Sequence, residues 1–173
     1  MLAESANRTK KGGQELIGGL DVRVNRNHFG RQIESFQADL NLPFLGEIPD
    51  LPTGSFPGIF IRAPIVERIL PTVDGIQEDE QAVAETIVAP SRQAVGGQAR
   101  KVALQNVKVM ATLPGRLKKA GEVGVKTDAD EETGDIIAVR QGNVFGTSFH
   151  PELSNDTRIY VWWLTQVLEQ RAS

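Results

Sequence analysis

The sequence predicts a mixed α/β domain of short strands closed by one C-terminal helix, and three observations carry that expectation. Val107, Val109, Ala111 and Leu113 alternate with their neighbours, the period of a half-buried strand. Two apolar runs, Ile136–Val139 and Val144–Phe149, flank Gln141-Gly142-Asn143, a turn sequence that suits a hairpin. Tyr160, Trp163, Leu164, Val167 and Leu168 follow helical spacing behind a capping residue, Asn155 or Asp156. With 173 residues, 40% of them hydrophobic and 24% charged, the chain is large enough for one domain with its own core.

In chain order, Met1–Ala6 reads as the tail of a helix and Asn7–Gly13 as a polar loop. Asp21–Asn25 alternates as a strand, with Val22 and Val24 on one face, and Ile33–Leu40 reads as the returning strand after a turn at Asn27–Arg31. The segment Asn41–Pro57 carries four prolines and two glycines and is expected to be loop. Gly58–Ala63 is a compact strand closed by Pro64, and Val66–Leu70 is expected to make a single helical turn. Residues 71–98 turn acidic, end in Gly96-Gly97 and have few large apolar side chains, so they are expected to form a partly disordered insertion rather than a second domain. Lys101–Leu113 returns to strand, and residues 114–134 form a second long polar loop. In the closing helix Trp162 falls outside the apolar stripe, placed to meet a neighbouring element.

Composition narrows the function. A formal net charge of −3 with no basic run gives no sign of a nucleic-acid partner, and no apolar run is long enough to span a bilayer. With an N-terminus charged too early for a signal peptide, the expected location is the cytoplasm. No cysteine occurs in the chain, which excludes disulfides, thiolate metal sites and a cysteine nucleophile among these residues. The acidic run Asp128-Ala129-Asp130-Glu131-Glu132 lacks the offsets of a calcium loop. No internal repeat, phosphate-binding loop or dinucleotide-binding glycine pattern is present.

The stretch that carries chemistry is Gly146-Thr147-Ser148-Phe149-His150-Pro151-Glu152-Leu153. In an extended segment His150 and Glu152 project to the same side, and Pro151 biases His150 away from helix. A carboxylate bonded to one ring nitrogen sets the tautomer and leaves the other nitrogen to move a proton. The plain alternative is a histidine and a surface glutamate flanking a strand end.

Thr147-Ser148-Phe149-His150-Pro151-Glu152-Leu153 resembles the His-Pro-Glu segment of class I glutamine amidotransferases, most closely the glutaminase subunit family of pyridoxal 5'-phosphate synthase (the PdxT/SNO family). Three further stretches agree in order: Gly18-Gly19-Leu20-Asp21-Val22, Asn25-Arg26-Asn27-His28-Phe29-Gly30-Arg31-Gln32 and Phe60-Ile61-Arg62-Ala63-Pro64. The resemblance implies an α/β, flavodoxin-like three-layer fold and the hydrolysis of L-glutamine, with ammonia passed to the synthase subunit as partner. It implies His150 and Glu152 as catalytic residues, Arg26, Ile61 and Arg62 as glutamine-binding positions, and no cofactor and no metal. Arginine suits the binding task because its guanidinium takes a carboxylate through two parallel hydrogen bonds. His28 stands where the family has a small residue and receives no role.

Two family features are absent: the Gly-x-Cys-x-Gly turn with the nucleophile, and the Gly-Gly-Glu-Ser loop near it. Aligned on the shared motifs, Met1 falls just after the nucleophile turn. The expectation is therefore the C-terminal portion of a glutaminase domain, lacking the N-terminal strands, with exposed strand edges and an uncovered apolar face. Inactivity of this portion alone follows from the missing nucleophile. A non-catalytic partner of the synthase subunit stays open as an alternative. So do Ser148 as a nucleophile beside His150 and a zinc site from His28, His150 and Glu152.

Overall fold

A computed structural model describes residues 1–8, 15–26, 35–73, 75–90, 105–114 and 134–172. Its strands are β1 (Ala3–Asn7), β2 (Leu20–Asn25), β3 (Ser35–Leu40), β4 (Phe56–Ile61), β5 (Ile65–Ile69), β6 (Thr86–Val88), β7 (Lys108–Leu113), β8 (Asp135–Gln141) and β9 (Val144–Thr147). Among the described residues the α-helices are α1 (Glu78–Gln81) and α2 (Arg158–Ala172), and Pro43–Glu47 and Pro151–Leu153 are 3-10 turns.

The result is a mixed α/β fold around a central seven-stranded sheet in the order β6-β1-β2-β5-β8-β7, with β9 also on β8. Among the described residues only β1 and β2 pair in parallel; the other pairs of this sheet are antiparallel. The β8–β9 hairpin forms as expected, with Gln141 opposite Val144 and Gly142 supplying a φ of 57°, a left-handed value that costs glycine little.

Tertiary context overrides local preference in several places. Met1–Ala6, expected as a helix tail, contains β1, because Ala3, Ser5 and Ala6 are buried and the strand is bonded on both edges, by β2 and β6. Val66–Leu70 is not a helical turn: β5 pairs with β2, and Val66 bridges Ile136 of β8. The returning strand at Ile33–Leu40 does not pair with β2. Its described part, β3, forms a separate two-stranded sheet with β4, from Ser35 opposite Ile61 to Leu40 opposite Phe56. Phe36 stacks on Phe60 across that pair at 4.5 Å. The proline-rich loop contains a 3-10 turn that buries Phe44 and Leu45.

Within residues 71–98, expected as a partly disordered insertion, the described part forms α1 and β6, and β6 pairs with β1 at the sheet edge. Ala89 and Ile87 pack on the core between β1 and β2, and polar contacts of Glu80 and Gln77 hold the rest. Residues 91–98 lie outside the described residues, as does most of the loop at 114–134.

The helix stripe is rotated from its expected position. Trp162 is fully buried and Ile159 is buried, whereas Tyr160, Leu164 and Leu168 are exposed. Trp162 packs on Phe44 at 4.6 Å and Phe145 at 5.0 Å, and its indole N–H donates to Glu47. The inward row runs Ile159, Trp162 and the half-buried Gln166, which accepts a hydrogen bond from Arg140. A glutamine in the row conceals it from a reading based on apolar period alone.

Candidate active site

His150 follows β9 by three residues and enters the Pro151–Leu153 turn with φ −102° and ψ 89°, non-helical as a residue before proline must be. The segment beyond it is not extended. The 3-10 turn folds Glu152 back, and His150 Nδ1 meets Glu152 Oε1 at 2.8 Å. The pairing predicted from strand alternation is thus made by a tighter turn. Leu153 N–H closes the turn on the carbonyl of His150 at 3.2 Å.

Glu152 is exposed and lies beside the imidazole, whose hydrogen bond holds its carboxyl below the usual range. As a carboxylate Glu152 only accepts, so Nδ1 carries the proton and Nε2 is the nitrogen open to chemistry. That is the arrangement of a base and its orienting acid.

The other candidate residues gather around the connection from β4 to β5. His150 N–H donates to the carbonyl of Ile59 in β4 at 2.8 Å, two residues before Ile61. Arg62 follows Ile61 at the end of β4 with a φ of 48°, a left-handed conformation uncommon for a residue other than glycine and often found at ligand sites. Both residues are exposed. On the far side of the connection, Ile65 pairs with Asn25, the neighbour of Arg26. Arg26 is half-buried, its backbone N–H donates to Asn7 Oδ1 at 2.8 Å, and burial pulls its guanidinium below the ordinary value. The link from Arg26 and Arg62 to the His150 turn runs through backbone pairing. His28 lies outside the described residues.

An open cleft of about 380 Å³ borders Thr147 and Pro151, with Val144, Phe145, Tyr160 and Trp163 in its lining. It offers no cationic side chain to a carboxylate. Among the described residues no group of His, Asp and Glu is arranged to hold a metal ion. Ser148, two residues before the histidine, continues the sheet by donating its N–H to Ile137.

The sequence reading missed Ser154 and Arg158. Ser154 Oγ donates to the carbonyl of Pro151, and Arg158 binds Asp156 and three carbonyls before β4. The available signal was an acid two residues before an arginine at a helix start, just after His-Pro-Glu. Of the two proposed caps, Asp156 accepts the first helical N–H, from Arg158, at 3.0 Å.

Comparison with known proteins gives a consistent result. The family model described as "SNO glutamine amidotransferase family" matches residues 2–99 and 92–169. "Probable pyridoxal 5'-phosphate synthase subunit PDX2" of Arabidopsis thaliana is 37% identical over 99% of this chain and 56% of its own length. "Pyridoxal 5'-phosphate synthase subunit PdxT" of Leifsonia xyli is 33% identical over 90% of this chain and 49% of its own. A crystal structure of a glutamine amidotransferase superposes with a TM-score of 0.52 at 28% identity, covering 95% of this chain and 53% of that one. The chain therefore spans about half the length of the curated relatives it matches.

Proposed function

The chain belongs to the SNO glutamine amidotransferase family, and from that membership we propose that it carries the acid–base portion of a glutaminase supplying ammonia from L-glutamine for pyridoxal 5'-phosphate synthesis. The observation that carries this reading is the 2.8 Å contact between His150 Nδ1 and Glu152 Oε1, which leaves Nε2 to transfer protons. A relative's name as a synthase subunit supports the setting. On this reading the chain is the C-terminal portion of the family domain, and the cysteine nucleophile lies in residues not contained in these 173.

His150 Nε2 takes the proton of the cysteine thiol, the resulting thiolate attacks the amide carbon of glutamine, and Nε2–H returns that proton to the departing nitrogen as the C–N bond breaks. His150 then accepts a proton from the water that cleaves the thioester, and glutamate leaves. Glu152 holds the ring and stabilises its charged form. Arg26 and Arg62 take the amino acid's carboxylate and Ile61 fixes its backbone, a task suited to the exposed end of β4. The ammonia passes to the synthase subunit, and no cofactor takes part.

The test is a version extended upstream through a Gly-x-Cys-x-Gly turn. It is expected to release ammonia from glutamine, with His150→Ala lowering turnover by about 10² or more. Undiminished turnover in His150→Ala would end this reading.

The lack of cysteine in the chain favours a second reading, a non-catalytic partner of the synthase subunit. It calls for binding to that subunit without ammonia release, and a chain that ignores the subunit would oppose it.

A further inference from the structure

The turn that presents His150 is fastened to β4 on both sides, and we propose that Arg158 is the positioning residue that holds the His150–Glu152 pair against that strand. The use made of the pair rests on the glutaminase reading; the positioning itself does not.

The pair needs such a hold. Both side chains are substantially exposed, 40% for His150 and 58% for Glu152, and one solvent-exposed ion pair contributes too little to fix two side chains in a single geometry. The backbone must do it. Upstream, His150 N–H is bonded to Ile59 O at 2.8 Å, and Phe149 packs on Phe56 at 5.8 Å.

Downstream, a chain of contacts returns to the same strand. Ser154 Oγ donates to Pro151 O at 2.9 Å and accepts the N–H of Asp156 at 3.3 Å. The Asp156 carboxylate accepts from Arg158 Nε at 2.9 Å and from Nη2 at 2.6 Å. Arg158 Nη1 then donates to Pro52 O and Gly54 O, both at 3.0 Å, and Nη2 to Ser55 O at 2.6 Å. The guanidinium lies over Phe56, the first residue of β4, at 5.7 Å. The contacts close a ring: His150, Ile59, Phe56, Arg158, Asp156, Ser154, Pro151 and back.

All five guanidinium donors are engaged, on one carboxylate and three carbonyls, so this arginine has none left for a ligand. Lysine has three donors and no planar fork. It can keep the charge and the stem packing but not the joint grip on Asp156 and the 52–55 carbonyls.

The experiment uses the ¹⁵N,¹³C-labelled chain, in which His28 and His150 are the only histidines. Long-range ¹⁵N–¹H correlation reads which ring nitrogen of His150 is protonated, and the Glu152 carboxyl carbon reads its titration. Assignments come from His150→Ala and Glu152→Gln. The native chain is expected to show a proton held on Nδ1. In folded Arg158→Ala and Arg158→Lys the His150 signals should move to the free-imidazole pattern. Glu152 should titrate nearer the ordinary carboxyl value of about 4.3, with His28 unchanged. An unaltered tautomer and titration in either folded variant would overturn the proposal. So would loss of the whole fold in both, since that assigns Arg158 a global role. Turnover insensitive to His150→Ala would instead sink the glutaminase reading and leave this result standing.

Discussion

Two regions of the molecule are held together by opposite means. Around α2, the fully buried Trp162 is enclosed by Phe44, Phe145 and Trp163. At the other end of the sheet, β1, β6 and α1 meet around Glu80, which is 2% exposed. Its carboxylate accepts from Ser5 Oγ at 2.7 Å, from Arg23 Nη1 at 2.8 Å and from Arg68. Arg23 and Arg68 stand directly opposite each other on β2 and β5, a repulsive cross-strand pair by itself. Glu80 turns that repulsion into a bridge. The first region is stabilised by area removed from water; the second adds to a core of smaller side chains a charge that would be costly to bury unless paired. The two should therefore respond differently to truncation and to pH.

The largest effect is expected for Trp162→Ala, about 4 kcal/mol lost in urea unfolding at neutral pH, because the aromatic cage cannot collapse onto the space left. A loss under about 1 kcal/mol would show that the cage is not the core of this region. Glu80→Gln comes next, at about 3 kcal/mol, since it takes the bridging anion from two facing guanidinium groups and leaves Arg23 with Glu67 at the exposed edge.

The pH dependence separates the two variants. Burial pushes the Glu80 carboxyl up, but hydrogen bonds from Ser5 and Arg23 and the charges of Arg68 and Arg23 outweigh it, and the group titrates below its ordinary value. A depressed carboxyl contributes stability above its unfolded pKa, about 4.3, and loses it as pH falls through the folded value. Trp162→Ala should keep the acid slope of the native chain, and Glu80→Gln should flatten it. Equal slopes in native and Glu80→Gln protein would remove Glu80 as the source of the acid sensitivity.

The same contrast explains what the sequence made legible. The β8–β9 hairpin follows from two apolar runs and a glycine turn, and the His150–Glu152 contact follows from residue types two apart in a segment stiffened by proline. The α1–β6 segment was hidden because its anchor is one glutamate whose partners, Ser5, Arg23 and Arg68, are up to 75 residues away. No local period reports such a contact. Arg158 was hidden for the same reason, since its carbonyl partners at 52–55 lie more than 100 residues back. The helix stripe was misplaced where a polar residue, Gln166, occupies an inward position and bonds Arg140.

The smallest effect sharpens the comparison on the helix itself. Leu164 and Leu168 belong to the stripe that helical spacing selects, yet they are 61% and 65% exposed. If burial rather than period decides their contribution, Leu164→Ala and Leu168→Ala should each change unfolding free energy by less than about 0.5 kcal/mol. Ile159→Ala, one turn earlier on the buried row, should cost about 2 kcal/mol or more. Alanine is a better helix former than leucine and better still than isoleucine, so intrinsic propensity opposes the expected difference and cannot produce it. A loss at Leu164 or Leu168 as large as that at Ile159 would mean that the outer face of α2 is covered in solution, and the apolar row given by the sequence would then be a contact face in its own right.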